Sequence, residues 1–217
     1  MKRYAPLLTI LAVAVFGGVL LAVNSAGDPA NQGAAAPAAS PTAPDPPPTS
    51  DAPPAVDEVV YAGRSAGDEV TVAIAVSGGR AVGYVCDGAA IEAWLEGTVS
   101  GAEVRLASGD GSVSVTGSLD ETASLGTVSV AEREWSYAAD AVEAPAGLYE
   151  GRADVRGVAN RIGWIVLDDG SQVGLLDAGG RTGPAPPLDP ADPDGVEIDG
   201  VPVAVTTVGG DDEVITP

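Results

Sequence analysis

The pattern of apolar and polar positions changes character twice along this chain. Leu7 to Val23 (LLTILAVAVFGGVLLAV) is an unbroken, mostly apolar run of 17 residues. Gly27 to Asp57 is dominated by Pro, Ala, Ser and Thr and holds no apolar side chain large enough to build a core. From Val59 onward the signal is period-two alternation broken by Gly and Asp-Gly pairs, with little helical periodicity. Such alternation marks strands with one face buried.

The alternation can be followed strand by strand. Val70, Val72, Ile74 and Val76 alternate with smaller or polar neighbours, and Gly78-Gly79 offers a tight hairpin turn. Val82, Tyr84 and Cys86 line one face of the partner strand, which ends at Asp87-Gly88. Ile91, Ala93 and Leu95 alternate with Glu92, Trp94 and Glu96; the stretch Ala89–Glu96 would tolerate a helix, but its i, i+2, i+4 pattern predicts a strand. Val104 and Leu106 lead to Asp110-Gly111, Val113 and Val115 lead to Leu119, and Val128 and Val130 precede Trp135 and Tyr137. Short strands joined by Gly or Asp-Gly turns read as consecutive antiparallel hairpins. About eight strands are expected between Val59 and Val142, the number that closes a small barrel. The predicted fold is therefore all-β, an antiparallel meander closing into a small up-and-down barrel, with a sandwich as the alternative. The inward candidates are mostly Ala, Val and Ile, which leave more room for a ligand than Phe or Leu.

A weak internal echo follows. Tyr61-Ala-Gly63-Arg64 recurs as Tyr149-Glu-Gly151-Arg152. After a shift of three residues, Ile74, Val76, Gly79, Val82 and Gly83 correspond to Ile165, Leu167, Gly170, Val173 and Gly174. The second copy is expected to pair beside the first or to form a small subsheet. Beyond Arg181 the segment GPAPPLDPADPDG reads as a loop, followed by an extra hairpin, Val196–Ile198 with Val201–Val205. Residues 209–217 read as a frayed acidic tail.

The N-terminal run is preceded by Lys2 and Arg3. A basic start followed by an apolar run directs export and leaves the positive end in the cytoplasm. At this length a cleaved signal peptide and an uncleaved single-pass anchor both fit. No cysteine stands directly after the run, which excludes a lipoprotein anchor. The expected organisation is residues 1–26 as export signal or anchor and 27–57 as a Pro/Ala-rich linker of polyproline character. Residues 58–208 then form an extracytoplasmic β domain. Cell-membrane attachment with the C-terminal domain outside is the favoured location, and secretion the alternative.

Charge narrows the partners. The net charge is −21. From Glu58 to Gly180 there are 19 acidic residues against 7 arginines, a net of −12. So acidic a domain repels nucleic-acid phosphates, which excludes nucleic acid as a partner class. Arg152, Arg156 and Arg161 are its one local concentration of positive charge.

Absences limit the chemistry further. The chain has no His, and its single Lys, Lys2, lies in the export segment. Ser-His-Asp and Cys-His catalysis, Schiff-base chemistry and a phosphate-loop lysine are thereby excluded as usually built. Cys86 is the only cysteine, so neither an internal disulfide nor a thiolate metal site can form, and a buried small hydrophobe is its expected role. Asp192-Pro-Asp194-Gly195 echoes part of an EF-hand loop, but Pro190 and Val201 fall where ligands are required, so no metal or cofactor is expected. A carboxylate-based glycan hydrolase stays formally open, because Trp94, Trp135 and Trp164 could stack sugars near acids such as Glu92, Glu96 and Asp168.

The stretch YAGRSAGDEVTVAIAVSGGRAVGYVCDGAAIEAWLEGTVSG, with GLYEGRADVRG and IGWIVLDDGSQVG later, resembles an uncharacterised extracytoplasmic domain of actinobacterial proteins. That domain is sometimes labelled serine/threonine protein kinase. The kinase label implies no catalysis here, since the Gly-rich loop, V-A-I-K, H-R-D and D-F-G motifs are all absent. The resemblance implies an exterior module and supplies no catalytic residues. The expectation is a non-enzymatic binding module of the cell envelope, recognising a small ligand or envelope component. Its candidate ligand-binding residues are Tyr84, Trp94, Trp135, Arg152 and Trp164. A structural or sensor domain recognising another envelope protein is the alternative.

Overall fold

The computed structural model describes residues 58–215. The run Leu7–Val23 and the linker 27–57 lie outside the described residues, as do the anchor and signal expected there. Among the described residues no helix is long and apolar enough to cross a membrane.

Eight strands follow one another as a meander: β1 (Val59–Ser65), β2 (Thr71–Ser77), β3 (Arg80–Cys86), β4 (Glu92–Ser100), β5 (Glu103–Ala107), β6 (Val113–Leu119), β7 (Ala123–Val130) and β8 (Arg133–Val142). Each pairs antiparallel with the next, and β8 returns to β1 with Tyr61 opposite Ala141, closing the barrel. Closure leaves no free sheet edge. Tight bends are made at glycines: a Cβ on Gly63, Gly97 or Gly126 would sit 2.0, 1.9 or 2.1 Å from a carbonyl oxygen of the neighbouring strand.

Alternation places one residue set inside. Val72, Ile74 and Val76 of β2, Ala93 and Leu95 of β4, and Val113 and Val115 of β6 share one buried cluster. The interior is not left open as the inward Ala, Val and Ile suggested. Tyr61 and Tyr137 also point inward and are buried. Tyr61 donates its hydroxyl proton to the Asp120 carbonyl at 2.7 Å, and the Tyr137 hydroxyl meets Ser124 at 3.0 Å. Two aromatic rings fill the space that the small aliphatics leave.

The start of β4 differs slightly from expectation. Residues 89–91 are loop, because the Asp87 carboxylate accepts the backbone N–H of Ala89, Ala90 and Ile91 at 2.7–2.8 Å and holds the chain in a turn.

The second copy of the echo forms its own sheet. Strands β9 (Gly147–Val155), β10 (Val158–Val166), β11 (Gln172–Ala178) and β12 (Thr182–Pro184) form a meander. A later strand, β15 (Ala204–Thr207), adds to β9, giving the order β12-β11-β10-β9-β15. The extra hairpin is shorter than predicted. It pairs β13 (Glu197–Ile198) with β14 (Val201–Pro202), and the chain then leaves it to pair with Arg152 and its neighbours on β9.

The sheet buries both faces. One packs Leu148, Ile165 and Leu175 on the outer barrel wall, against Ala62, Ala73, Val82 and Tyr84. The other carries Ile162, Trp164 and Val166 beneath Leu188, Val196 and Val203 of the C-terminal loops. The tail is not frayed over 209–215. Val208 and Val214 are buried, and the Glu96 carboxylate accepts the N–H of Val214 and of Ile215, each at 2.7 Å.

Candidate functional site

The barrel-facing surface of the second sheet changes along its strands. Alternation puts Leu148, Glu150 and Arg152 of β9 on one face, opposite Ile165, Gly163 and Arg161 of β10, with Val173, Leu175 and Asp177 of β11 beyond. One end of this face is apolar and packs flat on the barrel. The other end, Glu150, Arg152, Arg161 and Asp177, is charged and meets the barrel at the outer face of β3 and β4.

A ring-and-gap fit locks the seam between them. A Cβ on Gly163 would lie 2.3 Å from the Tyr84 ring, so only glycine lets this aromatic seat against β10. The Tyr84 and Trp94 ring centroids are 4.5 Å apart at an interplanar angle of 42°. The Arg161 guanidinium lies over the Trp94 ring, 4.2 Å from its centroid, a cation–π arrangement that continues the stack.

Glu150, 9 % exposed, receives both arginines: Arg161 through Nε and Arg152 through Nη2 at 2.9 Å. Arg152 and Arg161 are direct cross-strand partners. Like charges placed opposite each other destabilise a sheet, and here one carboxylate holds them together. Burial pulls the Arg161 guanidinium below its ordinary value, against the opposing pull of Glu150. Its Nη2, like Trp94 Nε1, is buried without a hydrogen-bond partner among the described residues.

On the barrel side, Tyr84 donates its hydroxyl proton to Glu92 at 3.0 Å. Burial raises the Glu92 carboxyl above the ordinary range, and the nearby Asp177 charge adds to the rise. A raised carboxyl beside a second acid is the kind of pair a glycan hydrolase uses. Trp94, however, is only 9 % exposed and its ring is covered by Arg161, so Trp94 offers the pair no open sugar platform.

A groove of about 550 Å³ opens on the charged end of the sheet, between Arg152, Asn160, Arg161, Asp177 and Gly179. Asn160 is buried and donates to the Val158 carbonyl at 2.7 Å; Arg152 leaves 53 % of its side chain exposed. Asp177 accepts the Gly180 N–H at 2.6 Å, which shapes the groove's outer lip.

Of the five residues singled out from the sequence, Tyr84, Trp94 and Arg152 gather at this seam. The other two lie elsewhere. Trp164 is buried on the opposite face of the sheet, donating its indole N–H to the Pro186 carbonyl at 2.8 Å. Trp135 is half-buried against the barrel core, with Arg133 5.0 Å from its ring centroid. Glu150 was the residue missed, although its i, i+2 spacing from Arg152 on a strand places both on one face. Cys86 is buried beside Tyr84, and burial pushes its thiol up to about 11. Asp189 shapes a turn by accepting the Ala191 N–H at 3.0 Å.

No protein-family model, curated protein or solved structure matches the chain.

Proposed function

We propose that the chain is a membrane-tethered, extracytoplasmic, non-catalytic binding module of the cell envelope. Its recognition site is the groove beside Arg152 and Arg161, and its ligand is an envelope component bearing a carboxylate. The observation that carries this reading is the placement of two arginines directly opposite each other on β9 and β10. Glu150 offsets the repulsion between them, but the Arg161 Nη2 stays buried without a hydrogen-bond partner among the described residues, a cost that Glu150 does not cancel. Local choices that cost stability concentrate at functional sites. Arg152 is half exposed, and its planar fork suits a carboxylate. The filled barrel supports recognition on the surface rather than carriage in the lumen, and the absence of His removes the commonest general base.

The test is thermal unfolding of the full chain with and without muropeptide, lipid and glycan fractions. A ligand at about 100 times its Kd adds about 2.7 kcal/mol, which in a domain of this size raises Tm by roughly 5–10 °C. The expected result is a rise with carboxylate-bearing muropeptides that Arg152→Gln abolishes. No rise with any fraction overturns the reading in favour of a protein-recognition module, to be pursued by crosslinking in intact cells.

A further inference from the structure

The barrel mouth at which β1 begins is built differently from the rest of the lumen. Above the filled interior, the turns at this end enclose an open surface recess of about 540 Å³. That volume lies in the range of small-molecule sites, about 300–1,000 Å³. Its apolar lining is the half-exposed Val59 with the edge of Leu119, and the fully buried Tyr61 ring supports them from beneath. One side of its lip is the Gly101–Ala102 turn between β4 and β5; the other is the turn Asp120, Glu121 and Thr122 between β6 and β7. Among the described residues no basic side chain lines it.

The lip is held in place before any ligand arrives. Leu119 N–H donates to the Ala102 carbonyl at 2.8 Å, joining the two turns. Tyr61 clamps the Asp120 carbonyl from below. The Asp120 carboxylate accepts the Thr122 N–H, the Thr122 hydroxyl and the Ala123 N–H at 2.7–3.0 Å. These bonds, the Thr122 hydroxyl first, hold its carboxyl below the usual range, so it is charged at neutral pH. Preorganisation of this kind lowers the ordering cost of binding.

We propose that this mouth is a second binding site, for a small amphipathic cation whose apolar body enters the recess and whose ammonium head rests at Asp120 and Glu121. Charge complementarity selects this occupant. An anionic amphiphile would bring its head against two carboxylates in a chain of net charge −21. A purely apolar molecule would leave the acidic lip unused. The site shares no residue with the arginine groove, so it stands or falls independently of that reading.

The test titrates the full chain with decyltrimethylammonium, decyl sulfate and tetramethylammonium, all below micellar concentration. Binding is read at the NMR resonances of Val59, Tyr61 and Leu119, so uptake by the apolar run Leu7–Val23 is not counted. The expected result is saturable shifts with decyltrimethylammonium and about tenfold weaker binding of decyl sulfate. Tetramethylammonium, which lacks the apolar body, binds more weakly still. Ala102→Trp, which fills the recess from an exposed turn, weakens decyltrimethylammonium by about tenfold or more, and Glu121→Gln by about threefold. Equal binding of decyl sulfate, shifts confined to other residues, or an Ala102→Trp chain that binds like the wild type overturns the proposal. Should Ala102→Trp fail to fold, the comparison of the two detergents on the unaltered chain decides.

Discussion

The two halves of the barrel wall are built from similar lengths of strand and meet opposite surroundings. Strands β1–β4 carry apolar residues on both faces. In β2 all residues from Thr71 to Val76 are buried, with Val72, Ile74 and Val76 turned inward and Ala73 against the second sheet. On the other half β5 alternates cleanly: Val104 and Leu106 point in, while Glu103, Arg105 and Ala107 are exposed. The outer row Arg105, Thr116, Thr127 and Ser136 runs across registered partners on that side. A strand's apolar pattern thus counts the faces that are covered. One wall is a scaffold for the second sheet and for the seam; the other faces solvent.

Replacing Tyr84 should damage the covered wall most. The ring is fully buried between the barrel wall and β10, so Tyr84→Ala should lose about 3–5 kcal/mol in denaturant unfolding. A loss under about 1 kcal/mol, the level of an ordinary surface change, would break the comparison. The next largest effect belongs to the gap that receives this ring. Gly163→Ala should cost about 1–3 kcal/mol through overpacking. Much of that cost should vanish when Tyr84 is already Leu, a coupling that a double-mutant cycle reads directly.

The covered wall was legible in part. Period-two alternation in β2 and β3 and the Gly-Gly and Asp-Gly turns predict the strands and the closed barrel, while the covering of the outer face by a second sheet is not marked. The seam was not legible, because its contacts join residues far apart in sequence: Tyr84 meets Gly163, and Trp94 meets Arg161. Nothing local marks Gly163 as the seat of an aromatic ring. The three tryptophans look alike in sequence, yet one lies at the seam, one under the C-terminal loops and one at the barrel core. Similarly, Ala204 and Val205 continue the predicted hairpin pattern, but β9 offers them a longer partner than β13 does.

The tail strap sharpens the contrast at lower energy. Glu96→Gln weakens two charge-assisted hydrogen bonds to the N–H groups of Val214 and Ile215. A cost of about 1.5 kcal/mol is expected, with faster hydrogen exchange at those two amides.

Glu92 tests the electrostatics of the seam through pH. Its carboxyl is raised in the folded chain, chiefly by burial. Its contribution to stability is therefore complete below the unfolded value, about 4.3, and is lost as pH rises through the folded value. Glu92→Gln keeps an acceptor for the Tyr84 hydroxyl and removes the buried charge. Its Tm should exceed that of the wild type at pH 7, with the difference closing as pH falls toward 4. A constant difference across that interval would contradict the assignment.

The smallest effect belongs to the free wall. Leu125 is 54 % exposed on β7, and Leu125→Ala should change stability by less than about 0.5 kcal/mol. A larger loss would mean that this wall, too, is covered.

The most direct test of the proposed function is a heteronuclear NMR map of the full chain titrated with carboxylate-bearing muropeptides. Shifts are expected to cluster at Arg152, Asn160 and Arg161, together with the Trp94 indole beneath the guanidinium. Shifts confined to the β5–β8 wall, or none at saturating ligand, would contradict the proposed function.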